Sequence, residues 1–181
     1  MREKELTKDN LFSKKSFIVS TIFGLFALLV VLGKVHIPIP GTSVVTDPRE
    51  SFTTLGSALA GPIGGIIVGF LAGIAEPGGI ALASLLAHIS GAIWFGYTYK
   101  KFIYEKSYFF LRWIGNIIIY YYVFAVSGFS IGLVLFYKDP TPIIELYKGI
   151  AGGLTVELVL TILISSAILY ALPKKYRKPV W

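Results

Sequence analysis

No cysteine occurs anywhere in the 181 residues. Disulfides, thiolate metal sites and cysteine nucleophiles are excluded with it, and the redox state of the compartment leaves no mark on the sequence. Charge is scarce as well: Asp, Glu, Lys and Arg make up 15% of the chain, against 55% hydrophobic residues. A water-soluble helical domain needs a polar face on every helix, and there is too little charge here to build those faces. The two histidines, His36 and His88, stand too far apart for a local metal pair, so no metal or other cofactor is expected. There is no G-x-x-x-x-G-K-[ST] loop for ATP, no H-E-x-x-H and no G-x-S-x-G elbow. The chain is therefore expected not to be an enzyme, and energy for any transport has to come from an ion gradient or a partner.

What the sequence has is long apolar runs separated by short polar breaks, with a mean hydropathy of +0.72. Runs of this length point to lipid as the solvent. The formal charge of +7 would suggest nucleic acid in a soluble protein, but its placement argues against such a partner. Five basic residues precede the first apolar run (Arg2, Lys4, Lys8, Lys14, Lys15). Four lie mid-chain (Lys100, Lys101, Lys106, Arg112) and four near the end (Lys174, Lys175, Arg177, Lys178). Only Lys34, Arg49, Lys138 and Lys148 fall between the clusters. With all three clusters cytoplasmic the positive-inside rule is obeyed, and the number of crossings is even.

The expected fold is an all-α, polytopic membrane protein with six transmembrane helices and a short, broken second helix. Residues 1–15 form a cytoplasmic N-terminal segment, 16–173 the six-helix membrane domain and 174–181 a basic cytoplasmic tail. Span one runs from about Ser16 to Gly33. The Pro-rich stretch from Lys34 to Ser51 is read as a long external loop. From Phe52 to Ala75 the chain is apolar but interrupted at Gly61-Pro62, where proline lacks an amide donor and disfavours helix in the residue before it. A short helix from Phe52 to Ala60, a turn, and a helix returning from about Ile63 to Ala75 follow. A single kinked span is the competing reading; it gives five spans and puts the 100–112 cluster outside. Span four runs from about Ile80 to Tyr99, span five from Tyr108 to Tyr137 and span six from Ile143 to Leu172.

A few polar residues sit at membrane depth or in structured outer turns. Glu157 lies inside an apolar run, where a carboxylate is costly unless it is paired or faces a cavity. It is a ligand-cavity group or a structural hydrogen bond to a neighbour, and Gly149 and Gly153 share its face by i, i+4 spacing. His88 lies about 12 Å down span four at 1.5 Å per residue, and either contacts ligand or caps a buried polar group. Asp47, Arg49 and Glu50 form a lid or an ordinary solvated charge run, and Glu76 is a cavity group or a loop acid. Asn116 is read as interhelical glue, and Tyr120-Tyr121-Tyr122 as packing rather than as a stacking platform. Ser20 and Gly24 make a small-x-x-x-small pair, which lets a second helix approach closely.

Taken together, several features resemble the substrate-binding S components of energy-coupling factor (ECF) transporters over about Ser16 to Pro173. They are the basic N-terminus, the small pair in span one and the Ile-Pro-Ile-Pro loop at 37–40. Ala60-Gly61-Pro62 follows, then the helix carrying Gly64, Gly65, Gly69 and Gly73, then a span closing on Gly96 and Lys100-Lys101. The resemblance implies a cell-membrane subunit that captures a vitamin or related micronutrient from outside. It also implies partners: membrane lipid, a transmembrane scaffold subunit and two ATPase subunits. The family's first-helix motif is usually Ala-x-x-x-Ala and meets the scaffold; Ser20 and Gly24 stand in its place, differing in identity but not in smallness. The family's pocket, in the outer halves of helices four to six under the loop after helix one, coincides here with His88, Glu157 and the 47–50 stretch. A self-sufficient ion-coupled carrier or channel is the alternative, and an integral membrane enzyme using Glu157 and His88 as acid and base is a further one.

Overall fold

A computed structural model of the protein describes residues 13–35, 37, 38 and 45–181. Most of the expected N-terminal segment, with Arg2, Lys4 and Lys8, lies outside the described residues, as do His36 and residues 39–44 of the Pro-rich loop.

The first helix, α1 (Lys14–Leu32), is capped by Ser13, whose side chain accepts a hydrogen bond from the Ser16 amide. One face, with Ser16, Ser20, Gly24 and Ala27, is buried; Ile18, Ile22, Leu25 and Leu29 point outward. Beyond it, Ile37–Pro38 (β1) pairs antiparallel with Val45–Thr46 (β2), a two-residue ribbon in an otherwise helical fold. Then come α2 (Arg49–Gly73), α3 (Ala81–Ile103), α4 (Phe109–Tyr137) and α5 (Ile143–Ala171).

Five helices, not the expected six, are long and apolar enough to cross a membrane. The difference lies in α2. Its helical hydrogen bonding runs on through Gly61, but the backbone there turns to φ 84°, ψ −177°, a region that only glycine occupies without strain. A straight helix would hold Arg49 and Ala72 about 35 Å apart. Instead Arg49 Nη1 donates to the Ala72 carbonyl at 3.3 Å, so α2 is folded back on itself. Its first limb descends alongside α1: Phe52 stacks on Phe26 near one end, and the Ser16 hydroxyl donates to the Ala60 carbonyl at the other. Each limb, about 18 Å long, is too short to cross ~30 Å of hydrocarbon alone. The first limb is shielded on nearly every side, with all its residues except Phe52 buried. Three of its hydroxyls are satisfied within the helix, Thr53, Thr54 and Ser57 donating to the carbonyls of Arg49, Glu50 and Thr53, while the buried Ser51 hydroxyl has no partner among the described residues.

Small residues set the packing of α2. A methyl at Gly65 would meet the Ala92 carbonyl oxygen at 2.6 Å, and one at Gly69 the His88 carbonyl oxygen at 2.7 Å, so α3 lies directly on the second limb. Ser20 and Gly24 do the same on the other side. Ser20 is fully buried, and a methyl at Gly24 would meet Leu71 Cδ1 at 2.6 Å. Both residues, expected as a partner-binding pair, are placed in the chain's own α1–α2 contact. The core below is aromatic, with Phe95 packed edge-on to Trp113 at 5.1 Å and to Tyr120 at 5.8 Å. Asn116 is the expected interhelical tie, accepting from Trp94 Nε1 at 3.0 Å and Thr98 Oγ1 at 3.2 Å.

The tail closes one end of the bundle. The Val180 amide donates to the Leu59 carbonyl at 2.9 Å, Ser13 Oγ donates to the Val180 carbonyl at 2.8 Å, and Lys100 Nζ reaches Trp181 O at 2.7 Å. The start of α1, the tip of the α2 hairpin, the end of α3 and the tail therefore share one end. Because α2 returns to the side it came from, five apolar helices still leave the basic clusters around Lys14, Lys100 and Lys174 together.

Candidate functional site

The opposite end of the bundle holds the polar residues. Asp47, just after β2, turns back on the first residues of α2, accepting from the Arg49 amide at 3.0 Å and from Arg49 Nε at 3.1 Å. Arg49 also reaches across the fold, its Nη1 lying 2.6 Å from Glu76 Oε2 in the turn after α2. One guanidinium thus holds two carboxylates and the Ala72 carbonyl, in a fork that a lysine would not fill. The expected lid is in part the first turn of a buried helix: Arg49 is 9% exposed and Glu50 3%.

Glu76 links this group to α3 by accepting from Ser84 Oγ at 3.0 Å. One helical turn on, His88 Nδ1 lies 2.7 Å from the Ser84 carbonyl oxygen, which fixes the ring, and Nε2 lies 2.6 Å from Glu50 Oε1. The other oxygen of Glu50 accepts from the Tyr120 hydroxyl. Asp47, Arg49, Glu76, Ser84, His88, Glu50 and Tyr120 thus form one connected chain of hydrogen bonds and ion pairs.

Glu157 faces this chain from α5. Its contacts are long and neutral: Thr46 Oγ1 donates to Oε2 at 3.3 Å, and the Tyr121 hydroxyl donates to Oε1 at 3.4 Å. Among the described residues no cation lies within ion-pair distance of it. Between Glu157 and the chain lies a cavity of about 220 Å³. All six residues expected at the site, Asp47, Arg49, Glu50, Glu76, His88 and Glu157, line it. The face that α5 presents is Ile150, Leu154 and Glu157; Gly149 and Gly153 lie at its exposed edge, with open space before them.

Sequence reasoning missed the tyrosines. Tyr120 and Tyr121 were expected to pack, yet both line the cavity and bring a hydroxyl to a carboxylate. The helix is widened to i→i+5 bonding over Tyr120–Val126, a rare geometry that recurs at functional sites. The available signal was chemical, since a buried tyrosine hydroxyl needs a partner. Thr46 and Thr161, which complete the surroundings of Glu157 and Tyr121, gave no signal in sequence.

Among the described residues no group of three or more His, Asp or Glu side chains is placed to hold a metal ion. The arrangement offers hydrogen-bond acceptors, aromatic faces and one carboxyl group without an ion-pair partner, a set that suits a small ligand bearing a positive charge. No curated protein and no solved structure matches the chain. A family model described as 5TMR of 5TMR-LYT matches residues 3–172, which is nearly all of it. That match carries the membrane part of the earlier expectation, and nothing in it points to an ECF S component. The chain belongs to the 5TM-5TMR_LYT family of five-helix membrane domains.

Proposed function

We propose that the chain captures a small, vitamin-like solute carrying a protonated amine, and delivers it as the S component of an ECF-type importer in the cell membrane. The observation that carries this reading is Glu157: a carboxylate at membrane depth, facing a cavity, with hydroxyl contacts only. Every other acid of the site already has a cation, Arg49 serving Asp47 and Glu76, and His88 serving Glu50. A ligand ammonium supplies the missing partner, and Tyr120, Tyr121 and Phe129 supply the aromatic wall that favours a cation. The volume of about 220 Å³ suits a compact solute rather than a drug-sized one.

In this reading the tail end is cytoplasmic, since it gathers the basic clusters, and the cavity opens outward. The chain is a binder and not an enzyme; a scaffold subunit and two ATPases supply the energy that it has no motif to draw. Ser20 and Gly24 then act indirectly, by seating α1 on the α2 hairpin behind the surface that a scaffold would meet.

Native mass spectrometry of the protein as purified, followed by release of whatever is bound, tests the reading. It expects an amine-bearing small molecule at one per chain. A protein that arrives empty and takes up nothing from a panel of cationic vitamins and amines contradicts it. The family match shows a five-helix membrane domain and no transport role, and in a second reading the same pocket binds solute without moving it. Uptake into sealed vesicles distinguishes them: capture without translocation when scaffold and ATPases are supplied favours the second, and uptake by the chain alone favours an ion-coupled carrier.

A further inference from the structure

At the tail end, away from the cavity just described, the ends of α3, α4 and α5 leave a half-open notch of about 470 Å³. We propose that this notch binds the phosphate of an anionic phospholipid headgroup. Three cations line it, Lys106, Lys174 and Arg177, against one carboxylate, Glu105. Arg177 is held in place by two neutral carbonyls, its Nε 2.8 Å from Leu172 O and its Nη2 2.9 Å from Tyr170 O, so its charge is positioned but not cancelled. Lys106 and Lys174 have no ion pair and no side-chain hydrogen bond among the described residues. Ser107 adds a hydroxyl to the same wall.

The remaining wall is apolar. Phe109 and Phe110 line the notch, and the Phe110 ring lies 6.1 Å from that of Tyr170. Tyr108, Tyr170 and Tyr176 stand 77%, 74% and 57% exposed at this end of the bundle. Exposed tyrosines beside lysines, at the end of apolar helices, mark the level of the lipid headgroups. The occupant therefore has to be anionic on one side and apolar on the other, at headgroup depth. A phosphodiester on a glycerol backbone meets both demands, and a soluble phosphate meets only the first. Basic pockets between membrane helices on the cytoplasmic side bind phospholipid headgroups in this way.

The test is native mass spectrometry of the whole chain in mild detergent, titrated with phosphatidylglycerol and with phosphatidylcholine of identical acyl chains. Wild type is expected to prefer phosphatidylglycerol. The Lys106→Gln/Lys174→Gln variant is expected to lose that preference by roughly fivefold per lysine, the contribution of one cation near an anionic surface. Lys34→Gln/Lys138→Gln removes the same charge at the opposite end and is expected to keep the preference, as is Lys106→Arg/Lys174→Arg. Equal loss in both glutamine variants, or loss in neither, overturns the proposal. Displacement of phosphatidylglycerol from wild type by millimolar inorganic phosphate also overturns it, since the site would then belong to a soluble anion.

Discussion

The helices α2 and α5 use the same residue types to opposite ends. In its most apolar stretch α2 is 67% buried and α5 only 22%, so one is the wall around which the bundle closes and the other a wall laid against it. Glycine in α2 brings backbones together: Gly65 and Gly69 have α3 carbonyl oxygens where a methyl would go. Glycine in α5 faces nothing, with no atom within 4 Å of the methyl that Gly149 or Gly153 would carry. The acids divide likewise. Glu50 on α2 is clasped by His88 and Tyr120, whereas Glu157 on α5 has two long hydroxyl contacts. The difference is one of pairing: the acids on the α2 side have their cations, and Glu157 on the α5 side, the group that the proposed ligand would meet, has hydroxyl contacts only.

Three substitutions break or sharpen this contrast. Arg49→Met removes the single cation that holds Asp47 and Glu76, leaving two largely sheltered acids with hydrogen bonds but no counter-charge. Losing one member of a buried ion pair costs about 3–5 kcal/mol, so thermal melting in detergent is expected to show the largest fall here. A variant that melts with wild type would mean that this corner is open to water. Gly69→Ala drives a methyl into the α3 backbone, and a loss of about 1–3 kcal/mol is expected. Gly149→Ala meets open space in a helix, and a gain of about 0.4–1 kcal/mol is expected from the stiffer unfolded chain. Equal destabilisation by the two alanines would remove the distinction between tight α2 and loose α5.

Much of this was legible in sequence, for physical reasons. The Gly61-Pro62 break pointed to the fold-back, because proline lacks the amide donor and disfavours helix in the residue before it, though a single kinked span satisfied the same signal. Its consequence for counting was less legible. The two limbs remain one apolar helix by length and hydrogen bonding, so five helices long and apolar enough to cross stand where six were expected, yet the charge clusters still meet at one end. Glu157 and His88 were singled out because charge at membrane depth is expensive and therefore conspicuous, Asp47, Arg49, Glu50 and Glu76 because they stand in the outer loop and turn, and the fold brings all six to one cavity. Tyr120 and Tyr121 were not singled out, because tyrosines in an apolar run look alike whether they pack or donate. Ser20 and Gly24 were recognised as a close-approach pair, but spacing alone does not say whether the second helix belongs to the same chain. The tail-end notch gave no warning, since its cations come from segments about 70 residues apart that only the fold brings together.

The central claim is that Glu157 awaits a cationic partner, and one variant measures it. Glu157→Gln keeps the shape and one accepting oxygen, its amide nitrogen donating where the second oxygen accepted, and removes the charge. Native mass spectrometry reads occupancy by the amine-bearing small molecule that the proposal expects on wild type, and thermal melting of the empty protein reads stability. The account predicts a loss of affinity of about 1–3 kcal/mol, the worth of a charge-assisted hydrogen bond, with a nearly unchanged melting temperature. Unchanged occupancy together with a lowered melting temperature would contradict it, and would make Glu157 a structural tie between α5 and the outer ribbon.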